Sequence, residues 1–147
     1  MTSINQYYAD KNDLIDLYEL LLEYKKIDLA DCDYPEVDKD KSMNFLNTIL
    51  HKGKIILLKD LDTNLLIGCC LFNKSEYFFS RTEIMIIQMI YIKQDYRSFK
   101  LVKQLVESVK KQCENMPLVL SITSGLGIDP VFQKLGFENM GGNWRLL

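Results

Sequence analysis

Apolar residues recur along the chain with two different periods, and together these predict a regular succession of strands and helices. Helical spacing of the apolar positions predicts helices over residues 12–26, 40–51, 98–114 and 129–136. Shorter apolar runs predict strands over residues 1–9, 54–59, 65–73, 82–93, 118–123 and 143–147. The predicted order is therefore strand, two helices, three strands, helix, strand, helix, strand.

Residues 82–113 form the stretch around which the rest of the chain is organised. An apolar run is followed by the polar turn 93–97, and an amphipathic helix begins directly after it. The first N–H groups of a helix have no partner within the helix, and a strand that feeds a tight turn and a helix often presents such groups to a phosphate. The pattern therefore indicates an anion site at the start of this helix.

Length and composition limit the class of protein. The 147 residues fit one domain spanning 1–147, and 48% apolar with 26% charged residues is ordinary for a soluble globular protein. The net charge of −2 gives no general attraction to nucleic acid. No apolar run reaches membrane-spanning length and no signal sequence opens the chain, so a cytoplasmic protein without membrane contact is expected.

The cysteines and the single histidine do not suggest a metal site. The four cysteines form no Cys-x-x-Cys pair, and His51 is the only histidine. Cys69 and Cys70 are neighbours in an apolar run, so we expect them to point to opposite faces of one strand as small buried side chains in a reducing compartment.

Residues 90–107, Ile-Tyr-Ile-Lys-Gln-Asp-Tyr-Arg-Ser-Phe-Lys-Leu-Val-Lys-Gln-Leu-Val-Glu, resemble the acyl-CoA-binding segment of GNAT N-acetyltransferases. In that family an apolar strand leads through a proline-acidic-aromatic turn to an Arg/Gln-x-x-Gly-x-Gly/Ala loop that opens a helix. Residues 95–97, Asp-Tyr-Arg, match the turn and the first loop position. Lys100 and Val102 occupy the two glycine positions and Gln94 the proline position, so the motif is half present.

A second segment supports the resemblance. Residues 129–137, Asp-Pro-Val-Phe-Gln-Lys-Leu-Gly-Phe, resemble the family's short helix ending in Tyr-Glu-Lys-Leu-Gly-Phe, and the last strand after Gly141 and Gly142 resembles a subset often encoded by bacteriophages. The resemblance covers about the last 95 residues. It implies an α+β (α/β layered) GNAT fold, with a central mixed, mostly antiparallel sheet of six to seven strands and about four helices.

The resemblance also implies acetyl-CoA as co-substrate. Its pantetheine arm would pair with the backbone of residues 90–92, and its pyrophosphate would sit on the amides of 98–103. The residues assigned to the cofactor are Ile90, Tyr91, Ile92, Arg97, Ser98, Phe99, Lys100, Leu101, Val102 and Lys103. The cations at 93, 97, 100 and 103 would attract the phosphorylated ligand. The alternative interpretation is a strand-turn-helix unit with a solvated basic face.

Candidate catalytic residues follow from the same resemblance. Phe132 occupies the position where the family commonly has a tyrosine that protonates the leaving thiolate. Ser124, a water molecule or Tyr91 are candidate substitutes. Glu83 is the candidate general base, with Glu76 second, and Glu83 is equally well explained as a charge that deters edge pairing.

The acceptor is predicted only as an amine, on a small molecule or a protein. Residues 28–41 are acidic and irregular, which would favour a cationic acceptor, although a solvated surface loop explains them too. Gln88 lies in the middle of the predicted strand. Its side chain forms a hydrogen bond in the acceptor cleft or, alternatively, has its hydrogen bonds satisfied within the core. Trp144 is a candidate for the acceptor site or for a homodimer contact.

The leading hypothesis is an N-acetyltransferase. The alternative is a GNAT-fold binding module that has lost catalysis and acts on a protein partner, in a host if it is phage-encoded. An RNA-directed or toxin-like acetyltransferase is a third option, against which the net charge speaks.

Overall fold

A computed structural model of the chain describes residues 3–120, 129–141 and 145–146. The helices are α1 (Leu14–Ile27), α2 (Lys39–Lys52), α3 (Phe99–Gln112) and α4 (Asp129–Lys134), and a 3-10 turn, Lys11–Asp13, precedes α1. The strands are β1 (Ile4–Tyr8), β2 (Lys54–Asp60), β3 (Leu65–Glu76), β4 (Glu83–Ile92) and β5 (Leu118–Leu120).

The five strands form one sheet in the order β1-β2-β3-β4-β5. All pairs are antiparallel except β4–β5, which is parallel. The predicted α+β fold with a mixed, mostly antiparallel sheet is confirmed, with five strands among the described residues instead of six to seven. Arg145 and Leu146 of the predicted closing strand are not in a strand, and the rest of it lies outside the described residues, Trp144 included.

The sheet separates two apolar cores. The α1-side core gathers side chains of α1, α2 and one face of the strands; its buried members include Leu17, Leu46, Ile55, Leu57, Cys69, Met89 and Tyr91. The α3-side core gathers α3 and the other face; its buried members include Ile56, Leu58, Cys70, Met85, Ile87, Leu105 and Val109. The predicted opposite orientations of Cys69 and Cys70 are confirmed. Burial raises the pKa of the Cys69 thiol to about 12, so it is chemically inert.

The hairpin of β3 and β4 is longer than its sequence predicts. β3 was expected to end at residue 73 but continues to Glu76, because the polar residues 74–76 pair in register with the start of β4. The predicted connection of residues 74–81 therefore shrinks to residues 77–82. Tertiary pairing overrides the local polar signal here.

Two glycines end helices for different reasons. Gly136 follows α4 at φ +94, a left-handed conformation that favours glycine, as predicted. Gly53 follows α2 at φ −134, which any residue adopts, but a Cβ there would lie 2.3 Å from the carbonyl oxygen of Phe72. Close backbone approach, and not turn conformation, requires the glycine at position 53.

Among the residues that the structure describes, every helix is too short or too polar to span a bilayer.

Candidate functional site

A β-bulge at Gln88 divides β4 into two halves. Leu71 lies opposite Met89 and its neighbour Phe72 lies opposite Ile87, so Gln88 is the extra residue. Its amide nitrogen donates to Oδ1 of Asn73 at 2.9 Å. The described pairing of β4 with β5 also ends at Ile87. A bulge bends a strand and increases its twist, so β4 changes direction where its ladder with β5 stops.

The second half of β4 carries the three strand residues predicted to meet the cofactor. Ile90, Tyr91 and Ile92 pair on one edge with β3, opposite residues 68–70. Tyr91 and Ile92 are buried, whereas Ile90 is partly exposed. The carbonyl of Ile92 already accepts a hydrogen bond from Nε of Arg97 at 2.7 Å. The N–H of Lys93 donates to the carbonyl of Ile67 on β3, and hydrogen-bonded pairs alternate along an antiparallel ladder, so the backbone of Tyr91 also faces β3. Ile90 therefore has the freer backbone for pairing with an extended ligand.

The start of α3 narrows the predicted set of anion-binding amides. Ser98 is the N-cap, and its hydroxyl accepts from the N–H of Leu101 at 3.1 Å, while the N–H of Val102 donates to the carbonyl of Ser98. Lys103 lies within the helix. Among the described residues, the N–H groups of Ser98, Phe99 and Lys100 have no partner. These remaining donors point out of the helix end, where an anion is favoured by the helix dipole.

The missing motif glycines cost the turn no backbone strain. Lys100 and Val102 lie inside α3 with ordinary helical geometry, and the non-glycine residues of positive φ among the described ones lie elsewhere, at positions 33, 64 and 114. Val102 packs against the α3-side core. Lys100 is exposed in the first turn of α3, so its positive charge belongs to the same end of the helix as the free amides.

The cations around this turn divide into two groups. Lys93 and Arg97 contact carboxylates of the α1 region, whereas Lys100 and Lys103 lie on the exposed surface of α3. Lys103 also lies 4.0 Å from Oε1 of Glu107, an exposed pair that water screens, so it still contributes positive charge near the turn. Lys134 of α4 joins the second group, because its ammonium lies 4.9 Å from the ring centre of Phe99. Sequence reasoning missed Lys134, although it lies within the second motif.

Arg97 is held by three parts of its own chain. Its Nη2 lies 2.6 Å from Oδ1 of Asp28, its Nε donates to Ile92, and its guanidinium carbon lies 5.4 Å from the ring centre of Tyr91. The hydroxyl of Tyr91 donates to Oε2 of Glu23 at 2.7 Å, and burial, followed by this carboxylate, raises the Tyr91 pKa. Tyr91 therefore keeps its proton and is a poor acid.

A second contact anchors the turn from the other side of the sheet. The hydroxyl of Tyr96 donates at 2.5 Å to Oδ2 of Asp60, a side chain that is 3% exposed at the end of β2. The backbone N–H of Asp62 donates to the other oxygen of Asp60. The hydrogen bond from Tyr96 is the main cause that holds the pKa of Asp60 below its ordinary value of 3.8.

We expect Tyr96→Phe to destabilise the protein in a pH-dependent way. Because the pKa of Asp60 is lowered by folding, its contribution to stability is complete above pH 3.8 and is lost as the pH falls through the lower, folded value. The melting temperature of the variant should lie below that of the wild type at pH 7, and the difference should shrink below pH 3.8. A difference that stays constant down to pH 2 would mean that Asp60 does not depend on Tyr96. Tyr8→Phe, on an exposed ring, is the control.

The predicted catalytic residues do not gather at the bulge. Glu83 is the exposed first residue of β4 and lies opposite Glu76, about 17 Å along the strand from Gln88. Because β4 lies between β3 and β5, Glu83 is a charge at the end of an interior strand and does not protect an edge strand. Phe132 is 4% exposed and its ring contacts that of Phe137 edge to face, with 5.6 Å between ring centres. Ser124 lies outside the described residues.

Residues 28–38 connect α1 to α2 and contact the C-terminal segment. The guanidinium of Arg145 donates to the carbonyl oxygens of Cys32 and Asp33 at 3.0 and 3.2 Å, and it lies 5.4 Å from the ring centre of Tyr34. Within the described residues, His, Cys, Asp and Glu side chains do not gather in groups of three that would hold a metal ion.

Comparison with known families identifies the class of protein. The sequence profile of the GNAT acetyltransferase domain matches residues 67–145, which is more than half of the chain. The chain therefore belongs to the GNAT acetyltransferase family, whose members use acetyl-CoA. No curated protein sequence matches the chain significantly.

Solved structures show the same fold. A possible acetyltransferase from Clostridium difficile 630 has a TM-score of 0.73 at 15% identity, covering 98% of this chain and 96% of that one. An aminoglycoside 6'-N-acetyltransferase from Acinetobacter baumannii has a TM-score of 0.71 at 17% identity, covering 99% and 97%. A predicted acetyltransferase with acetyl-CoA from Clostridium acetobutylicum has a TM-score of 0.70 at 22% identity, covering 99% and 96%.

Proposed function

We propose that this protein is an N-acetyltransferase that moves the acetyl group of acetyl-CoA to an amine acceptor in a ternary complex. The observation that carries the proposal is the start of α3, where free N–H groups and exposed lysines follow the bulged strand β4 in a GNAT fold. Backbone donors at a helix N-terminus bind a phosphate without requiring particular side chains. The loss of both motif glycines therefore does not remove the chemistry of the site.

The cofactor is proposed to lie along the second half of β4 and over the start of α3. Its pantetheine arm would run along the free edge of residues 90–92 and pair chiefly with the backbone of Ile90. Its pyrophosphate would meet the N–H groups of residues 98–100, near the charges of Lys100, Lys103 and Lys134. The hydrogen bond between Arg97 and Ile92 would hold the turn between β4 and α3 in place for this cofactor position.

The proposed reaction needs no oxidant or reductant. The acceptor nitrogen attacks the thioester carbonyl carbon, the tetrahedral intermediate collapses, and the carbon–sulfur bond breaks. The nitrogen loses one proton and the departing thiolate gains one. In well-oriented reactions, holding the two reactants in such a geometry lowers the barrier by as much as about 7–11 kcal/mol.

Two side chains predicted from the sequence are considered for the acid and base roles. Ser124 is the proposed acid. Glu83 is the predicted base, but its place about 17 Å along β4 from Gln88 puts it out of direct reach of an acceptor bound at the bulge. Phe132, buried and without a hydroxyl, has no proton to give. A general acid typically contributes about 10²–10⁴-fold, so a slow enzyme that relies on positioning is the expected outcome. The loop of residues 28–38, acidic and next to Arg145, is the proposed acceptor side, which favours a cationic amine.

A GNAT-fold binding module that has lost catalysis is the second candidate. The observation that favours it is the packing of Phe132 against Phe137, since an apolar pair fills the place of the usual acid. Such a module would keep the fold and the strand-turn-helix unit but would release no thiol from acetyl-CoA.

Calorimetric titration with acetyl-CoA and with desulfo-CoA tests the proposal. We expect binding of both ligands with Kd values between about 1 μM and 1 mM, the usual range for enzyme substrates, and stabilisation of about 2.7 kcal/mol at 100 times the Kd. A thiol-release assay with a panel of amines then separates the two candidates. If the titration at millimolar acetyl-CoA shows no binding heat and no thermal stabilisation, the enzyme is ruled out. Binding without thiol release would favour the module.

A further inference from the structure

We propose that Arg97 is a positioning residue and not a phosphate ligand: its guanidinium ties the end of α1 to the end of β4 and so fixes the turn that presents the α3 amides. This inference rests on the proposed function, because it concerns how the same cofactor site is held. It changes the role of Arg97 from a direct contact to a brace, and it assigns a role to Asp28, which has none in the motif.

The geometry of Arg97 supports a brace. Two different nitrogens of one rigid guanidinium contact two different elements, Asp28 at 2.6 Å and the carbonyl of Ile92 at 2.7 Å. The planar group also lies over the ring of Tyr91, which belongs to the same strand as Ile92. Arginine makes such forked contacts and lysine does not, because a lysine ammonium is a single point.

Asp28 needs this partner. It is the C-cap residue of α1, and its side chain is 9% exposed. A carboxylate at a helix C-terminus faces the negative end of the helix dipole, and burial removes it from water, so both effects disfavour it. The ion pair with Arg97 offsets these costs. The same pairing cancels the positive charge that Arg97 would otherwise offer to a phosphate.

The brace also joins the two sides of the proposed active site. Asp28 begins the irregular residues 28–38 on the acceptor side, and Arg97 immediately precedes the N-cap Ser98 of the cofactor side. The two residues are 69 positions apart in the chain. Loss of the contact is therefore expected to loosen the turn at residues 93–98.

Conservative variants separate a brace from a phosphate ligand. If Arg97 bound phosphate through its charge, Arg97→Lys would keep most of the affinity and Asp28→Asn would free the guanidinium and keep or improve it. For a brace, we expect Arg97→Lys and Asp28→Asn each to raise the Kd for acetyl-CoA about tenfold. The double variant should be no worse than either single one, because the two residues act as a unit.

A readout on the free protein complements the affinity. Amide hydrogen exchange of the peptide covering residues 93–101 should be faster in both variants before any ligand is added. Arg81→Lys and Asp62→Asn, the same substitutions on exposed side chains outside the proposed site, are the matched controls and should change neither Kd nor exchange.

Each result decides between the two roles. Wild-type affinity in Arg97→Lys, or tighter binding in Asp28→Asn, would overturn the brace while leaving the proposed function intact. A lower melting temperature in both variants with an unchanged Kd would also overturn it, because the contact would then serve stability alone. Failure of the wild-type protein to bind acetyl-CoA would overturn the proposed function, and the inference with it.

Discussion

Reversing the charge of Lys100 is expected to raise the Kd for acetyl-CoA by about a hundredfold. Lys100 is exposed in the first turn of α3, beside backbone N–H groups that have no partner among the described residues. In Lys100→Glu a carboxylate would replace an attractive cation and would itself interact with those donors. Both changes oppose the binding of a pyrophosphate at the same place.

The thermal stability of Lys100→Glu should not fall together with its affinity for acetyl-CoA. A carboxylate in the first turn of a helix is favoured by the dipole by about 0.3–1 kcal/mol, so Lys100→Glu should melt at the same temperature as the wild type or slightly higher. Lost binding with retained stability would exclude unfolding as the cause.

Lys111→Glu is the matched control for Lys100→Glu. It makes the same change of charge in the last turn of α3, about 16 Å away, which is beyond the screening length at 0.1 M salt. We expect normal affinity and a small loss of stability, because a carboxylate there opposes the dipole. Equal effects of the two variants on the Kd would contradict a local anion site, and so would wild-type affinity in Lys100→Glu.

Substituting Gly53 by alanine is expected to lower the free energy of unfolding by about 3 kcal/mol or more. The added Cβ would lie 2.3 Å from the carbonyl oxygen of Phe72 and 2.7 Å from Cβ of Asn73. Both atoms belong to the central strand β3, in which Phe72 lies opposite Lys54. The neighbours cannot withdraw without breaking the pairing of β2 with β3, so the strain is not relieved by a side-chain movement.

Urea unfolding measures this cost. Lys52→Ala, on an exposed side chain one residue earlier, should change the free energy of unfolding by less than about 0.5 kcal/mol. Gly68→Ala is an intermediate case, since its Cβ would lie 3.0 Å from the carbonyl oxygen of Tyr91. A cost below about 1 kcal/mol for Gly53→Ala would show that β2 and β3 separate locally at little expense.

The elements of this protein could be predicted because periodicity is a local property. The alternation of β2 and the stripe of α3 come from a few neighbouring side chains, and each predicted element from β1 to α4 exists within a few residues of its expected bounds. The two motif segments pointed to the family for the same reason, and the match to residues 67–145 agrees with them.

The bulge at Gln88 could not be predicted in this way. One residue without an opposite partner exchanges the faces of β4, so that Ile87 belongs to the α3-side core and Met89 to the α1-side core. In a run as uniformly apolar as this strand, both registers leave apolar side chains on each face. The choice depends on the partner strand and not on the sequence of β4 itself.

Charge was misjudged for a related reason. The sequence counts Arg97 and Lys93 among the cations of the turn. Their carboxylate partners, Asp28 and Glu23, are distant in the sequence, in α1 and at its C-cap. The contribution of Lys134 was missed because α4 is distant in sequence from the start of α3. Counting only the cations that are close in sequence therefore overestimates the contribution of Arg97 and Lys93 to the positive charge at the turn and omits that of Lys134.

Neighbouring residues in the sequence are enough to predict the order of the elements, the family and the approximate place of the proposed anion site, because each of these is a local property. Tertiary packing decides which N–H groups at the start of α3 have no partner, where β4 bends, and that Arg97 and Tyr96 contact Asp28 and Asp60. These contacts join residues 36 and 69 positions apart, and such pairings arise only when the sheet and helices pack together.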